Sequence, residues 1–384
     1  MRKLLRFLLL CSLILCICLF GLLIHNEVVN SKRIEKSHVE KVSRLKSPVE
    51  NQLTWTNRIG VNNLSGLEKK AVSEYSQKII KHHFIGSYVG TDNKNLLFSG
   101  SNGYANAKVK AVFQLNTAYL VGNYQELLNN YIIYKLADNN KIKLTDKVGK
   151  YILLSSDSSV GEVTIDKLLN SDTNYYCNRK IMESFATIEN RVNNHEEIKI
   201  NAENKNNDVR VNSAIKALII SKALNTSYEE AFKKIIIDGF RLTDTRFYKN
   251  TTDGQANDVE GYKYSTIRKV PVQIKKMKID SIYYGTNQLR MSMKDIIISF
   301  DSLFSKEGLL QKNQESFVKS VAEIKGFQNL TKKKIQFKMS QSGQNVFVRL
   351  NQSNNRLVII GTNFPNSNVK PAEVMDHLFK IVNR

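Results

Sequence analysis

The stretch FIGSYVGTDNKNLLFSGSNGYANAKVKAVFQLNTAYLVGNYQELLNNYIIYKLADNNKIKLTDKVGKYI, Phe84 to Ile152, decides how the rest of the chain is read. Two strand-like segments, His83–Tyr88 and Asn95–Ser99, flank Thr91-Asp92-Asn93-Lys94, which has hairpin chemistry. Gly103-Tyr104-Ala105-Asn106 reads as a turn. Leu120, Val121, Leu127, Leu128, Ile132, Ile133 and Leu136 then recur at helical spacing. Thr117 is placed to cap that helix and Asp138-Asn139-Asn140 to stop it. The turn from Ala118 to Glu126, at the mouth of a long apolar helix, is therefore the first place to look for chemistry.

Working outward, the spacing predicts helices over Gly66–Lys81, Val163–Leu169, Val211–Leu224, Ser227–Ile237, Gln288–Phe304 and Ala372–Val382. Ser227 is the expected cap of the fourth. Residues 190–210 are polar and read as a loop. Lys334–Lys338, Val346–Leu350 and Leu357–Gly361 read as strands. Strands at both ends of the body with helices between them imply an α+β domain whose terminal strands share one sheet.

The chain carries 57 Lys+Arg against 35 Asp+Glu, a net charge of +22. Such a field attracts polyanions. No nucleic-acid motif accompanies it, so nucleic acid is not an expected partner. Anionic lipid or an anionic wall polymer would suit a charge this diffuse, and so would a merely solvated lysine-rich surface. Of the four cysteines, Cys11, Cys16 and Cys18 lie in one N-terminal apolar run and Cys177 stands alone, so the body has no disulfide framework. No metal or cofactor is expected: His-Glu-x-x-His and Gly-Lys-Ser/Thr are absent. His82-His83 reads as one exposed and one buried strand residue, and His195-Glu196-Glu197 as a solvated loop.

Residues 1–6 are basic, and Phe7–Ile24 is an uncharged run close to the ~20 residues that span a bilayer. Its exit, Leu22-Leu23-Ile24-His25-Asn26, has no small-x-small cleavage site. The expectation is a signal-anchor over residues 1–25, a polar linker over 26–70 and one domain over 71–384. The body would lie outside the cell on a single-pass anchor; secretion after signal cleavage is the runner-up.

Several segments in order resemble the serine β-lactamase and penicillin-binding-protein family, in its class C-like, esterase-like bacterial branch. They are GYAN, the Tyr119–Leu136 helix start, KIKLTDKVGKYI, VTIDKLLN, SYEEAFKKIIIDGFRLTDTRF, YYGTNQLRMSMKDIIISFDSLF and NVFVRLNQSNNRLVIIGTN. The resemblance implies an antiparallel sheet flanked by helices plus an all-helical lobe. It also implies a Ser-x-x-Lys at the helix start, in which the serine attacks an acyl carbon and the lysine keeps it poised. That motif falls on Asn123-Tyr124-Gln125-Glu126, so Asn123 stands for the serine and Glu126 for the lysine. The family's Tyr-x-Asn falls near Asp208-Val209-Arg210, and neither Tyr nor Asn is present. The Lys/His-x-Gly strand falls between Phe337 and Gly343, where Lys338 keeps only a positive charge. The expectation is a hydrolase-like fold without the acyl-serine set. It would bind a wall peptide, glycan or anionic polymer; the alternatives are a hydrolase using Glu126 as base and a structural protein whose basic surface binds an anionic wall polymer. Of the other Ser-x-x-Lys matches (Ser43–Lys46, Ser213–Lys216, Ser316–Lys319), Ser213–Lys216 is the best placed, at a helix start; its plain reading is helix surface.

Overall fold

The computed structural model describes residues 64–384 apart from 93–94, 153–158, 172, 174, 178–197, 201–208, 249–257, 266–269, 275–283, 305–307, 332, 365–368 and 384. The apolar run, the linker as far as residue 63, Asp208, and the His195 loop lie outside the described residues. Among those described, no helix is long and apolar enough to cross a membrane. Leu64, the first described residue, is buried.

Helix α1 (Gly66–Lys81) opens on a capping box in which Ser65 and Glu68 satisfy each other's backbone donors. His82 caps its C-terminal end, and His83 follows in the left-handed region at φ 63°. The histidine pair therefore lies between helix and strand, not in the strand. Strands β1 (Gly86–Asp92) and β2 (Asn95–Asn102) form the expected hairpin. After β3 (Tyr104–Asn106) and β4 (Ala111–Val112), β5 (Ala118–Leu120) leads into helix α2 (Tyr124–Asp138). Leu120 and Val121 thus precede the helix. Gly122 at φ 54° turns the chain, and Thr117 accepts from the Gln114 amide and caps nothing.

Helix α3 (Ile165–Leu169) is followed by β6 (Tyr175–Cys177) and β7 (Ile198–Ile200), which pair with each other. The stretch read as a loop therefore contains a short strand. Helix α4 (Val209–Leu224) runs to α5 (Tyr228–Phe232), which Ser227 caps and which continues as a π-helical turn, Lys233–Asp238. Then come β8 (Arg246–Phe247), β9 (Tyr262–Ser265), β10 (Val270–Gln273) and β11 (Leu289–Ser292). Helix α6 (Met293–Phe304) begins only after β11, so the helix expected from Gln288 is strand in its first turn. Helix α7 (Gln311–Ala322) and β12 (Phe327–Thr331) complete the approach to β13 (Lys334–Gln341), β14 (Gln344–Asn351), β15 (Arg356–Thr362) and α8 (Pro371–Val382).

The main sheet has the order β12-β13-β14-β15-β1-β2, antiparallel throughout, and β1 pairs with β15 as the α+β reading requires. Period-two alternation sorts its side chains between two cores. Leu357 and Ile359 face the large core with α2, α4, α6 and α7. Val358 and Ile360 face a smaller one with α1 and α8. Arg356 ties the second layer together: it binds Glu68 on α1 at 3.1 Å, Asp92 on β1 at 3.0 Å and the Val382 carbonyl on α8.

Helix α2 is the centre of the large core. It is apolar on nearly every side, as a fully surrounded helix must be. Apart from the half-buried Lys135 and Asp138, the exceptions are Gln125, Glu126, Asn129 and Asn130, all buried, so each polar group needs a partner inside.

Candidate functional site

The site is built where β5 turns into α2. Gly122 donates to the Gln341 Oε1 at 3.0 Å and accepts from the Asn287 amide at 3.3 Å. Asn123 occupies the helix-cap position but makes no capping bond with its side chain. Its Nδ2 donates instead to the Lys325 carbonyl. The next residue, Gly326 (φ 100°), accepts from the Lys338 amide at 2.8 Å. The side chain at position 123 therefore bridges the helix start to the turn that enters β12. An amide in that role has no nucleophilic lone pair to offer.

Tyr124 turns into the core. Its hydroxyl shares a hydrogen bond with Ser299 at 2.9 Å, and its ring meets Phe337 edge-on at 5.5 Å. It is an anchor for the helix and not a cleft residue.

Glu126 is buried and accepts from the Thr286 hydroxyl at 3.2 Å. Burial pushes its carboxyl up to about 7; the Lys216 ammonium, a hydrogen bond from Ser213 and the Thr286 hydroxyl pull the other way. Lys216 is likewise buried, and burial lowers its pKa while Glu126 opposes that shift. Ser213 and Lys216 are one turn apart on α4, so one helix face carries both to Glu126. The plain reading of this pair as helix surface is thus overturned: Ser213 has no exposed area and Lys216 only 1%. The charge at position 126 is opposite to the one the resemblance implied, and Lys216 on α4 places a compensating positive charge beside it.

Residues 284–288 form a strap over this pair. The Asn129 amide donates to the Gly285 carbonyl at 2.7 Å, and the Gln288 amide donates to Gln125 at 2.8 Å. Tyr228 donates to Asn129 at 2.6 Å and accepts from Gln125 at 3.0 Å. Sequence reasoning missed Gln125, Asn129, Tyr228 and Thr286. The usable signal was two polar pairs, Gln125-Glu126 and Asn129-Asn130, spaced four apart in a helix whose neighbouring positions are apolar.

Of the other expected positions, Arg210 is half-buried at the start of α4, and Asp208 lies outside the described residues. Lys338 does not join the site. It is exposed, and its ammonium sits 5.4 Å from the Phe347 ring, on the sheet face that carries α1 and α8. Strand alternation explains this: Phe337 and Met339 are its inward neighbours, and both are apolar and fully buried. No group of three or more metal-ligating side chains occurs among the described residues.

Against solved structures, the chain is similar to FmtA from Staphylococcus aureus, with TM-score 0.66 and 18% identity over 91% of this chain and 95% of that one. It is also similar to a class C β-lactamase from Rhodobacter sphaeroides, with TM-score 0.60 and 15% identity over 83% and 100%. A penicillin-binding protein from Bacillus halodurans matches with TM-score 0.59 and 12% identity over 79% and 100%. The fold is that of the serine β-lactamases and penicillin-binding proteins. No family model and no curated protein sequence matches the chain. At this identity the likeness establishes the fold alone. Within the β-lactamase fold, the turn at Gly122–Glu126 is the start of the central helix, where the sequence resemblance placed the reactive serine. Here it presents an amide already bonded to Lys325 and a carboxyl balanced by Lys216.

Proposed function

We propose that this chain is a membrane-anchored, extracellular protein of the β-lactamase fold that has lost acyl-serine chemistry and works by binding at the cell wall. The observation that carries the reading is the bond from Asn123 to the Lys325 carbonyl, made where the fold's nucleophile would stand. The charge reversal at Glu126 and the apolar inward residues Phe337 and Met339 support it, because neither would hold an anionic substrate. The apolar run Phe7–Ile24 supports the anchor, and the net charge of +22 supports residence beside anionic surfaces. The ligand class at the wall is a peptide, a glycan or an anionic polymer.

The test is covalent labelling by a fluorescent penicillin and a fluorophosphonate. The expected result is no adduct, together with retention of the protein on isolated walls. An adduct that Ser213→Ala removes would overturn the proposal. One observation favours a hydrolase instead: a carboxyl with a pKa near 7 beside a serine hydroxyl is the pairing a general base needs. Turnover of p-nitrophenyl esters that is abolished by Glu126→Gln would establish that alternative.

A further inference from the structure

The C-terminal end of α4 and the start of α5 enclose an open groove of about 600 Å³ that adjoins the strap through Tyr228 and Tyr284. Its walls include Ser221, Lys222, Asn225, Thr226, Glu229 and Tyr284. That volume lies within the roughly 300–1,000 Å³ of small-molecule sites.

Three features of the lining define what fits. The first is charge. The lining carries one cation, Lys222, and one anion, Glu229, so its formal charge is balanced on a protein of net charge +22. A polyanion site would show unmatched cations. The second is the direction of the hydroxyls. Ser221 donates to the Thr226 carbonyl at 2.5 Å, and Thr226 donates to Glu230 at 2.6 Å. With their protons spent, both present acceptor lone pairs, while Lys222 and the side-chain amide of Asn225 supply donors. The third is a fixed aromatic wall. The Tyr284 ring meets Tyr228 edge-on at 5.3 Å, and Tyr228 is held by Gln125 and Asn129. An aromatic side chain with both donors and acceptors in the same lining complements a ring that has an apolar C–H face and a polyhydroxyl rim.

We infer that this groove is a second ligand site, distinct from the Asn123 turn, and that it takes a short neutral saccharide. A peptide strand is a poorer match, because the backbone of the α4–α5 turn is already engaged: the Thr226 amide binds the Ser221 carbonyl and the Asn225 amide binds the Lys222 carbonyl. That leaves no sheet edge to extend. The inference does not depend on whether the cleft reacts.

The experiment is ligand-observed saturation-transfer NMR and calorimetry on the full chain. The probes are chitotetraose and maltotetraose, with polyglycerol phosphate as the charged control. Saturable binding of at least one neutral tetrasaccharide is expected, weakened about tenfold or more in Tyr284→Ala and in Asn225→Gly. Asn225 sits at φ 51°, so glycine keeps the turn while removing the amide. The exposed Lys222→Ala, which leaves the core untouched, gives the same readout if Tyr284→Ala fails to fold. Lys338→Ala, on the exposed sheet face away from both sites, is expected to leave saccharide binding within twofold. The inference is overturned if neither neutral tetrasaccharide saturates, if all three groove variants bind like the parent, or if Lys222→Ala abolishes binding of polyglycerol phosphate alone.

Discussion

Replacing Lys216 by methionine separates a buried charge pair from an ordinary buried polar contact. Methionine keeps most of the lysine stem's volume and removes only the ammonium. Glu126 is then left buried with Ser213 and Thr286 but no cation. Breaking a buried pair on one side costs about 3–5 kcal/mol when the remaining group is charged. The pH dependence follows from the carboxyl itself. Its pKa is raised from 4.5 to about 7 on folding, so its contribution to stability is fully present below about 4.5 and is lost as pH rises to about 7. The size of that loss is roughly 3 kcal/mol, at 1.36 kcal/mol per pH unit. Removing Lys216 takes away the one ammonium that opposes the shift, so Glu126 ionises at still higher pH. The penalty of Lys216→Met is therefore expected to be about 3–5 kcal/mol near pH 9 and to shrink towards zero near pH 5.

Glu126→Gln has the opposite slope. Near pH 5 it swaps a neutral carboxyl for a neutral amide and costs little, and as pH rises it escapes the loss that ionisation imposes on the parent, while the ammonium, its pKa lowered by burial, sheds its proton. The double variant removes both charges and is expected within about 1–2 kcal/mol of the parent, giving a coupling energy of at least ~2 kcal/mol. Urea unfolding with linear extrapolation, at steps from pH 5 to 9, measures all four proteins. Additive single effects, or a Lys216→Met penalty that does not change with pH, would refute the pairing.

Asn123→Ser restores a hydroxyl at the helix start, yet no penicillin adduct is expected from it, because Glu126 and the inward Phe337 and Met339 stay in place; labelling of this single variant would show that the cleft is still equipped. Gly285→Ala should destabilise by ~2–4 kcal/mol in the same urea assay, since Gly285 has φ 77° and an added Cβ would lie 2.4 Å from the Ser213 carbonyl oxygen. Arg356→Ala should cost ~1–2 kcal/mol, because the guanidinium is partly exposed, and hydrogen exchange should rise first in α1 and α8, which it joins. A uniform rise in exchange across the sheet would argue against that local role.

The order of the elements was legible because it rests on patterns that local sequence carries: the Thr91–Lys94 hairpin, the Ser227 cap and the alternation in the last three strands. Boundaries failed where apolar residues continue across a change of structure. Leu120 and Val121 fit the helical period of Leu127 and Leu128, yet Gly122 ends β5 between them. The same ambiguity turned β11 into a presumed first turn of α6. The face of Lys338 was available from parity, because Ile335, Phe337 and Met339 alternate inward on one strand. The meeting of Glu126 with Lys216 was not legible. A lysine after a loop is solvent-exposed by default, and only the packing of α4 on α2 buries this one.

Whether Ser213 and Glu126 can react depends on the strap, not on their pKa match. A hydroxyl beside a carboxyl near pH 7 is chemically competent, but a nucleophile with no exposed area meets no substrate unless residues 284–288 move. That strap is held by the Asn129–Gly285, Gln125–Gln288, Gly122–Asn287, Glu126–Thr286 and Gln341–Asn287 hydrogen bonds. At about 1 kcal/mol net for each, opening costs roughly 5 kcal/mol, which leaves about one molecule in several thousand open. Any hydrolysis at Ser213 would be slowed by that factor before chemistry began. The Gly285→Ala variant, which pushes the strap off the Ser213 carbonyl, would then raise ester turnover while lowering stability. If turnover stays at background as the strap loosens, the Ser213–Glu126–Lys216 cluster is a stabilising knot and the chain works by binding.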